Sequence, residues 1–419
     1  MPRVRVTAAA ILAACLLAGA APGLAKEIAS PIIPEPGLGP GAALGEVTAR
    51  SAVLIDGATG AVLFARDADA RRYPASLTKV LTAIVVLGSD GGSELAQVGE
   101  RAVQAEGMRA GLAPGQWVSV SDLLAAMLVR SGNDAAIVLA EHLGGSVEGF
   151  ARMMNDTARR LGAEASHFAN PHGLHDPRHY TTAHDLALIM RHAMQRPEIR
   201  RLVAQRRAVV SSTESESGNL VLSRNKLLDL YEGATGIKTG YTAAAGRCLA
   251  ASAQRDGREL IAVLLDAEEL WQDAEVLLDW GFDNFETVQL AREGTTSWRV
   301  PVRGGRQPTV WATTTEDVVV LVPKGRSTGC VVDRDADVVR APVQPGQPVG
   351  RLRVTLFDGT VRHVPLVSAE RIDRSFWAAV VPDSGIEWAV TALVIGLVGV
   401  TLYAAAAQGA GRGRGRVPP

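Results

Sequence analysis

Apolar and polar positions change rhythm several times along the chain, and each change predicts an element. Ser51-Ala-Val-Leu-Ile and Ala61-Val-Leu-Phe are short apolar runs flanking the turn residues Asp56-Gly-Ala-Thr-Gly, which predicts a β-hairpin. From Ser76 to about Leu87 the spacing is helical, and Ser121 stands as an N-cap before Asp122 at the start of another helix. Asp134–Leu143 and Ser146–Leu161 extend the helical region. Strands are expected around Lys238 and at Glu259-Leu-Ile-Ala-Val-Leu-Leu, with a helix over about Leu270–Leu278. After Trp280-Gly-Phe the texture shifts. From Thr287 to about Val367, short Val-rich runs are separated by Gly and Pro, the pattern of a small β-sandwich-like domain.

Both ends depart from this globular texture. A basic start, an uncharged run from Val6 to Ala21 and a small-residue exit at Gly23-Leu-Ala predict a signal peptide over 1–25. Leu12-Ala-Ala-Cys15 also resembles a lipoprotein cleavage box. Residues 26–48, with Pro31, Pro34, Pro36 and Pro40, read as an extended tether. The body then divides into a domain at 49–285, a β-rich domain at 286–370 and a linker at 371–387. Trp388 to Ala407 is twenty residues without a charge, the length of a transmembrane helix. Arg412, Arg414 and Arg416 follow it, so the 408–419 tail is expected inside the cytoplasm and the body outside.

Composition narrows the possibilities. The 419 residues carry 43 basic and 44 acidic side chains, a formal net charge of −1, which argues against a nucleic-acid binder. Only Cys248 and Cys330 remain after removal of the signal peptide, too few for a disulfide framework. Five of the basic residues are lysines: Lys26, Lys79, Lys226, Lys238 and Lys324. A chain that otherwise uses Arg keeps Lys for few places.

One of those places carries chemistry. Ser76 and Lys79 stand three apart at a helix start, so both project from one face. A serine hydroxyl is a poor nucleophile unless a neighbouring base takes its proton. A lysine of lowered pKa can do so; an arginine cannot. Ser131-Gly-Asn133 falls in the break between two helices, and Lys238-Thr239-Gly240 heads a strand. Singly, each reads as ordinary turn or edge chemistry. Together and in this order they form the signature of penicillin-binding proteins and serine β-lactamases.

Longer stretches sharpen the likeness: Arg71-Arg-Tyr-Pro-Ala-Ser-Leu-Thr-Lys79, Asn170-Pro-His-Gly-Leu174, Arg224-Asn-Lys-Leu-Leu228 and Gly236-Ile-Lys-Thr-Gly-Tyr-Thr242. They resemble the serine D-alanyl-D-alanine carboxypeptidases, the low-molecular-mass penicillin-binding proteins. The resemblance implies an α/β fold of the penicillin-binding and serine β-lactamase-like transpeptidase type, an antiparallel sheet flanked by helices plus a helical cluster. A small all-β domain and the C-terminal transmembrane helix would follow it. The implied substrates are peptidoglycan stem peptides, with β-lactam antibiotics as inhibitors and no cofactor or metal. The implied roles are Ser76 as nucleophile, Lys79 as base, Ser131 and Lys238 as proton relay, and Asn133 on the substrate amide. Gly240 and Tyr241 belong to the substrate-binding strand, where the backbone N–H groups of Ser76 and Tyr241 would form the oxyanion hole. Thr239 and Arg224 would receive the terminal carboxylate.

One position departs from the pattern. Leu270 stands where the family helix commonly has Arg, which puts affinity for that carboxylate in question. The same motifs also serve a DD-endopeptidase, a β-lactamase or a non-catalytic penicillin sensor. A class A lactamase needs a Glu that activates water; Glu164 is near in sequence but lacks the flanking residues. Six of the eight histidines lie between His167 and His192, without metal-ligand spacing, and are expected to pack and hydrogen-bond in loops.

Overall fold

The computed structural model describes residues 44–89, 95–212, 215–295, 297–325, 331–335, 338–356, 361–376 and 393–404. The expected signal peptide, most of the expected tether, Cys15 and Cys330 lie outside the described residues.

β1 (Ser51–Asp56) and β2 (Val62–Arg66) form the expected hairpin, with Ala52 opposite Arg66 and Leu54 opposite Phe64. Its turn closes on Asp56, whose carboxylate accepts from Thr59 N and Thr59 Oγ1, both at 2.8 Å. β3 (Leu95–Gln97) and β4 (Trp117–Ser119) pair as a separate ribbon, as do β5 (Arg207–Ser212) and β6 (Ser215–Leu222). β7 (Ala234–Thr242), β8 (Gly246–Arg255) and β9 (Arg258–Leu265) complete an antiparallel sheet of order β2-β1-β9-β8-β7, with β7 at its edge.

Both faces of this sheet are covered. Val53, Ile55, Ile261, Val263 and Leu265 belong to one buried cluster; Ala52, Leu54, Leu260, Ala262 and Leu264 belong to the other. Strand neighbours point to opposite faces, so a run apolar at every position is what a sheet buried on both sides demands. The first cluster is filled by α1 (Thr78–Leu87), α2 (Glu100–Val103), α3 (Val120–Leu128), α4 (Asn133–Gly144), α5 (Val147–Arg160), α6 (Ala183–Met194) and α7 (Pro197–Val203). Leu227 of the short α8 (Leu227–Leu230) and the long α9 (Leu270–Asn284) fill the second.

Several boundaries differ from the sequence reading. Ser119, not Ser121, caps α3: its backbone is extended and its side chain accepts from Asp122 N at 3.0 Å, whereas Ser121 is already inside the helix. α9 runs on to Asn284 rather than ending near Leu278, because Trp280 and Phe282 still bury their rings. The tether joins the body before residue 49. Val47 is buried, and the Asp273 carboxylate accepts from Thr48 N at 2.8 Å and Thr48 Oγ1 at 2.9 Å. Ser146 caps α5 through Gly149 N, as its position predicts.

Beyond α9 the chain is β. β10 (Phe285–Ala291) pairs with β13 (Val318–Pro323), and β11 (Ser297–Arg303), β12 (Thr309–Thr314), β14 (Val331–Asp335), β15 (Val339–Arg340), β16 (Pro348–Thr355) and β17 (Val361–Ser368) form a six-stranded sheet. Val300, Val310, Val320, Val354, Val364 and Leu366 share one core. Of the span expected at 388–407, residues 393–404 are described; they are helical and exposed. Among the described residues no helix is long and apolar enough to cross a membrane.

Candidate active site

Ser76 sits in a single 3-10 turn, Ala75–Leu77, that leads directly into α1. Ala75 holds a φ of +48°, a left-handed conformation that a side-chain-bearing residue seldom adopts. One turn on, Lys79 is wholly buried, and its Nζ donates to Ser76 Oγ at 2.9 Å, Asn133 Oδ1 at 2.6 Å and His172 O at 2.8 Å. Burial holds its pKa well below the ordinary lysine value; the Lys238 charge pushes the same way and Asp134 opposes.

Ser131 occupies the bend between α3 and α4, also left-handed at φ +69°. Gly132 caps α4 and Asn133 opens it, so the Ser-x-Asn spacing spans the break and presents both side chains at one place. Asn133 Nδ2 donates to Glu106 O at 2.6 Å. Behind it, the Asp134 carboxylate accepts from Ala110, Gly111 and Leu112 N–H and so pins the 107–112 loop.

The third wall is the edge strand β7. Gly240 passes so close to the nucleophile turn that a Cβ there would stand 3.0 Å from Ser76 N. Lys238 is 2 % exposed, and its Nζ donates to Thr239 O at 3.1 Å. Burial, reinforced by the Arg224 charge, lowers its pKa to about 7. No hydrogen bond joins Lys238 to Ser131 among the described residues.

These walls enclose a cavity of about 950 Å³. Of the nine residues singled out from sequence, Ser76, Ser131, Asn133, Arg224, Thr239, Gly240 and Tyr241 line it. Lys79 reaches it through Ser76, and Lys238 lies in a recess behind Arg224 and Thr239. Its charged lining is cationic (Arg224, Lys226 and Arg247), with no carboxylate, which suits an anionic substrate. Leu270 lines it too, beside Trp271. Glu164 is exposed and is not part of it.

Sequence reasoning assigned no role to three contributors. The His172 carbonyl takes one N–H of Lys79. Gly173, at φ +85°, lets the loop touch Ala75. His179 accepts at Nδ1 from Ala169 N (3.1 Å) and bonds through Nε2 to Thr78 Oγ1 (2.8 Å), which donates to Ala75 O (2.8 Å). Gly173 had a usable signal, a glycine inside a recognised motif; a carbonyl has none. The histidine loop therefore buttresses the nucleophile turn from behind.

A family model described as D-alanyl-D-alanine carboxypeptidase matches residues 39–269, and one described as the penicillin-binding protein 5 C-terminal domain matches 285–374. The chain is 32% identical to the D-alanyl-D-alanine carboxypeptidase DacF of Bacillus subtilis over 337 residues, covering 78% of this chain and 86% of that protein. It is likewise 32% identical to DacC of Escherichia coli over 347 residues, 78% of this chain and 85% of that one. The crystal structure of penicillin binding protein 5 from Haemophilus influenzae superposes with a TM-score of 0.69 at 31% identity, covering 80% of this chain and all of that one. With the serine, the buried lysine and the edge strand in one cavity, the chain belongs to the D-alanyl-D-alanine carboxypeptidase family of low-molecular-mass penicillin-binding proteins.

Proposed function

We propose that the chain is a serine D-Ala-D-Ala carboxypeptidase that removes the terminal D-alanine from peptidoglycan stem pentapeptides through an acyl-enzyme, and that penicillin blocks it by acylating the same serine. One observation carries this reading: an amine of depressed pKa, Lys79 Nζ, lies 2.9 Å from Ser76 Oγ. Asn133 Oδ1 and His172 O each take one N–H, so the neutral amine keeps its lone pair for the Ser76 proton. Ser76 Oγ then attacks the carbonyl between the two D-alanines.

The backbone N–H groups of Ser76 and Tyr241 are assigned to the developing oxyanion, where donors set in advance have their largest effect. The missing side chain at Gly240 supports this by leaving Ser76 N open. Ser131 and Lys238 are assigned the proton relay to the departing D-alanine. A pKa of about 7 suits Lys238 to that work, since it both holds and yields a proton near neutrality. Asn133 is assigned to the substrate amide, and Thr239 and Arg224 to the terminal carboxylate. Their place in a cationic cavity supports the last assignment.

This function requires catalysis outside the cytoplasmic membrane, where the stem peptides are. The reading of 1–25 as a signal peptide and 388–407 as an anchor, with the Arg412–Arg416 tail inside, meets that requirement.

Fluorescent penicillin and a D-Ala-D-Ala pentapeptide test the whole scheme. Wild type is expected to label at Ser76, release the penicilloyl group slowly and free D-alanine from the pentapeptide; Ser76→Ala is expected to do none of these. Lys79→Arg is expected to be as inactive as Lys79→Ala, although it keeps the charge, because a guanidinium does not become neutral. Substantial acylation by the Arg variant would remove Lys79 as the base. Rapid β-lactam turnover without D-alanine release would favour a lactamase, and cleavage of crosslinked dimers alone an endopeptidase.

A further inference from the structure

A second groove, of about 800 Å³, runs between the 107–112 loop and β6. It continues from the catalytic cavity along both walls. Gly107 and Met108 line both spaces, and Leu222 of the groove is followed directly by Ser223 and Arg224 of the cavity. On the β6 side Leu220 and Leu222 are 61% and 54% exposed, while Val221 between them is 4% exposed. The strand thus buries one face in the core and turns two leucines to the groove.

The facing wall is cationic. Arg109 and Arg130 line it, and no carboxylate does. Arg109 spends one N–H on Val103 O at 2.7 Å. Arg130 is half-buried, yet among the described residues it makes no hydrogen bond and no ion pair. A guanidinium carries five donors, so Arg130 offers the groove a full set of donors to an incoming acceptor. The loop amides do not compete for an incoming anion: Ala110, Gly111 and Leu112 N–H are turned back onto Asp134 at 2.9, 3.0 and 3.3 Å. Asn133 stands at the junction, where a Cβ on Gly107 would meet its Nδ2 at 3.2 Å.

We propose that this groove binds the acidic stretch of the substrate peptide upstream of the scissile bond, with Arg130 paired to a free carboxylate and Leu220 and Leu222 packed on its aliphatic parts. The proposal rests on the carboxypeptidase reading, in which Asn133 bonds the amide on the acyl side and so directs the upstream chain toward the junction. Stem peptides include a γ-linked glutamyl residue whose α-carboxyl is free, an anion of the required kind. A planar guanidinium takes a carboxylate through two parallel hydrogen bonds, which an amide cannot match.

The test compares two pentapeptides that differ only in that α-carboxyl, free in one and carboxamide in the other, by kcat/KM for D-alanine release. Wild type is expected to favour the acid about tenfold, the size of one charge-assisted hydrogen bond. In Arg130→Gln the preference is expected to fall to about one, and Arg130→Lys to retain part of it. The ratio is independent of the amount of active enzyme, so a partly misfolded variant still reports. A wild-type ratio near one, or a full preference in Arg130→Gln, overturns the groove assignment alone. Release of D-alanine from neither peptide overturns the carboxypeptidase reading, and with it the ligand named here.

Discussion

At the scale of single residues, burial lowers the proton affinity of lysines and histidines alike, with different consequences. Lys79 is held well below the ordinary lysine value and Lys238 falls to about 7, which fits both for proton transfer. His172 and His179 are pushed to about 3 by burial and stay neutral as parts of the scaffold. His179 shows why. The Ala169 N–H only donates, so Nδ1 must accept; Thr78 Oγ1 gives its proton to Ala75 O, so Nε2 carries the hydrogen. A proton on Nδ1 would face a donor. In the unfolded chain both imidazoles titrate near 6.5, so from there down to about pH 3 the unfolded state binds more protons. Stability therefore falls on acidification through that window, by up to about 1.4 kcal/mol per pH unit for each histidine. Urea midpoints of wild type and His179→Gln between pH 7 and 4 check this. The variant is expected to show the flatter profile, and parallel profiles would mean that His179 does not titrate between the two states.

At the scale of elements, the nucleophile turn depends on the 170–174 loop behind it. A Cβ at Gly173 would lie 1.8 Å from Ala75 O and 2.8 Å from Thr78 Oγ1, at a φ of +85°. Gly162 has nearly the same φ, +83°, but its Cβ would meet only Leu188 Cδ1 at 3.7 Å. Gly162→Ala is thus expected to cost about 1 kcal/mol of stability, the conformational penalty alone, with penicillin acylation intact. Gly173→Ala is expected to lose more stability and to slow acylation at least about tenfold, since the turn holding Ser76 must shift; an unaltered acylation rate would show that the contact is dispensable. This dependence also explains what was legible in the sequence. Ser76 with Lys79, Ser131 with Asn133, and Lys238 through Tyr241 are each set by local geometry, one helical turn, one bend and one strand, so short spacings revealed them. The His172 carbonyl and the Arg130 groove are made by segments meeting from distant parts of the chain, and no spacing encodes that. The hairpin and the buried strand β9 were readable because their apolar runs match one local period. The start of α3 was not, because Ser119 and Ser121 both precede the apolar run that begins at Leu123, and only backbone conformation separates them.

At the scale of the whole molecule, the question is what holds the catalytic body at its substrate. The β-rich unit is not loosely appended: Phe285 and Leu321 lie in the same buried cluster as α9, and Lys324 N donates to Asn284 O at 2.8 Å. Its own closing contacts reach further along the chain than the last long strand suggests. Arg306 N donates to Asp373 O at 2.9 Å, Arg374 bridges to Gly305, and Ser375 N donates to Gly304 O at 2.9 Å. A soluble form should therefore end after Phe376, inside the linker expected at 371–387, so that these bonds stay whole. If 388–407 is the anchor and 1–25 a cleaved signal peptide, that truncated protein is expected in the soluble fraction, with penicillin labelling of Ser76 equal to that of the full chain. Twenty apolar or small residues at about 1.5 Å each span about 30 Å, the thickness of a hydrocarbon core, and none offers the polar face of a surface-lying helix. The measurement is fractionation after a high-salt wash, which strips charge-held proteins but not inserted ones. Retention of the truncated form on membranes would move the anchor to the N-terminal end, where Cys15 in its lipoprotein-like box is the residue to replace next.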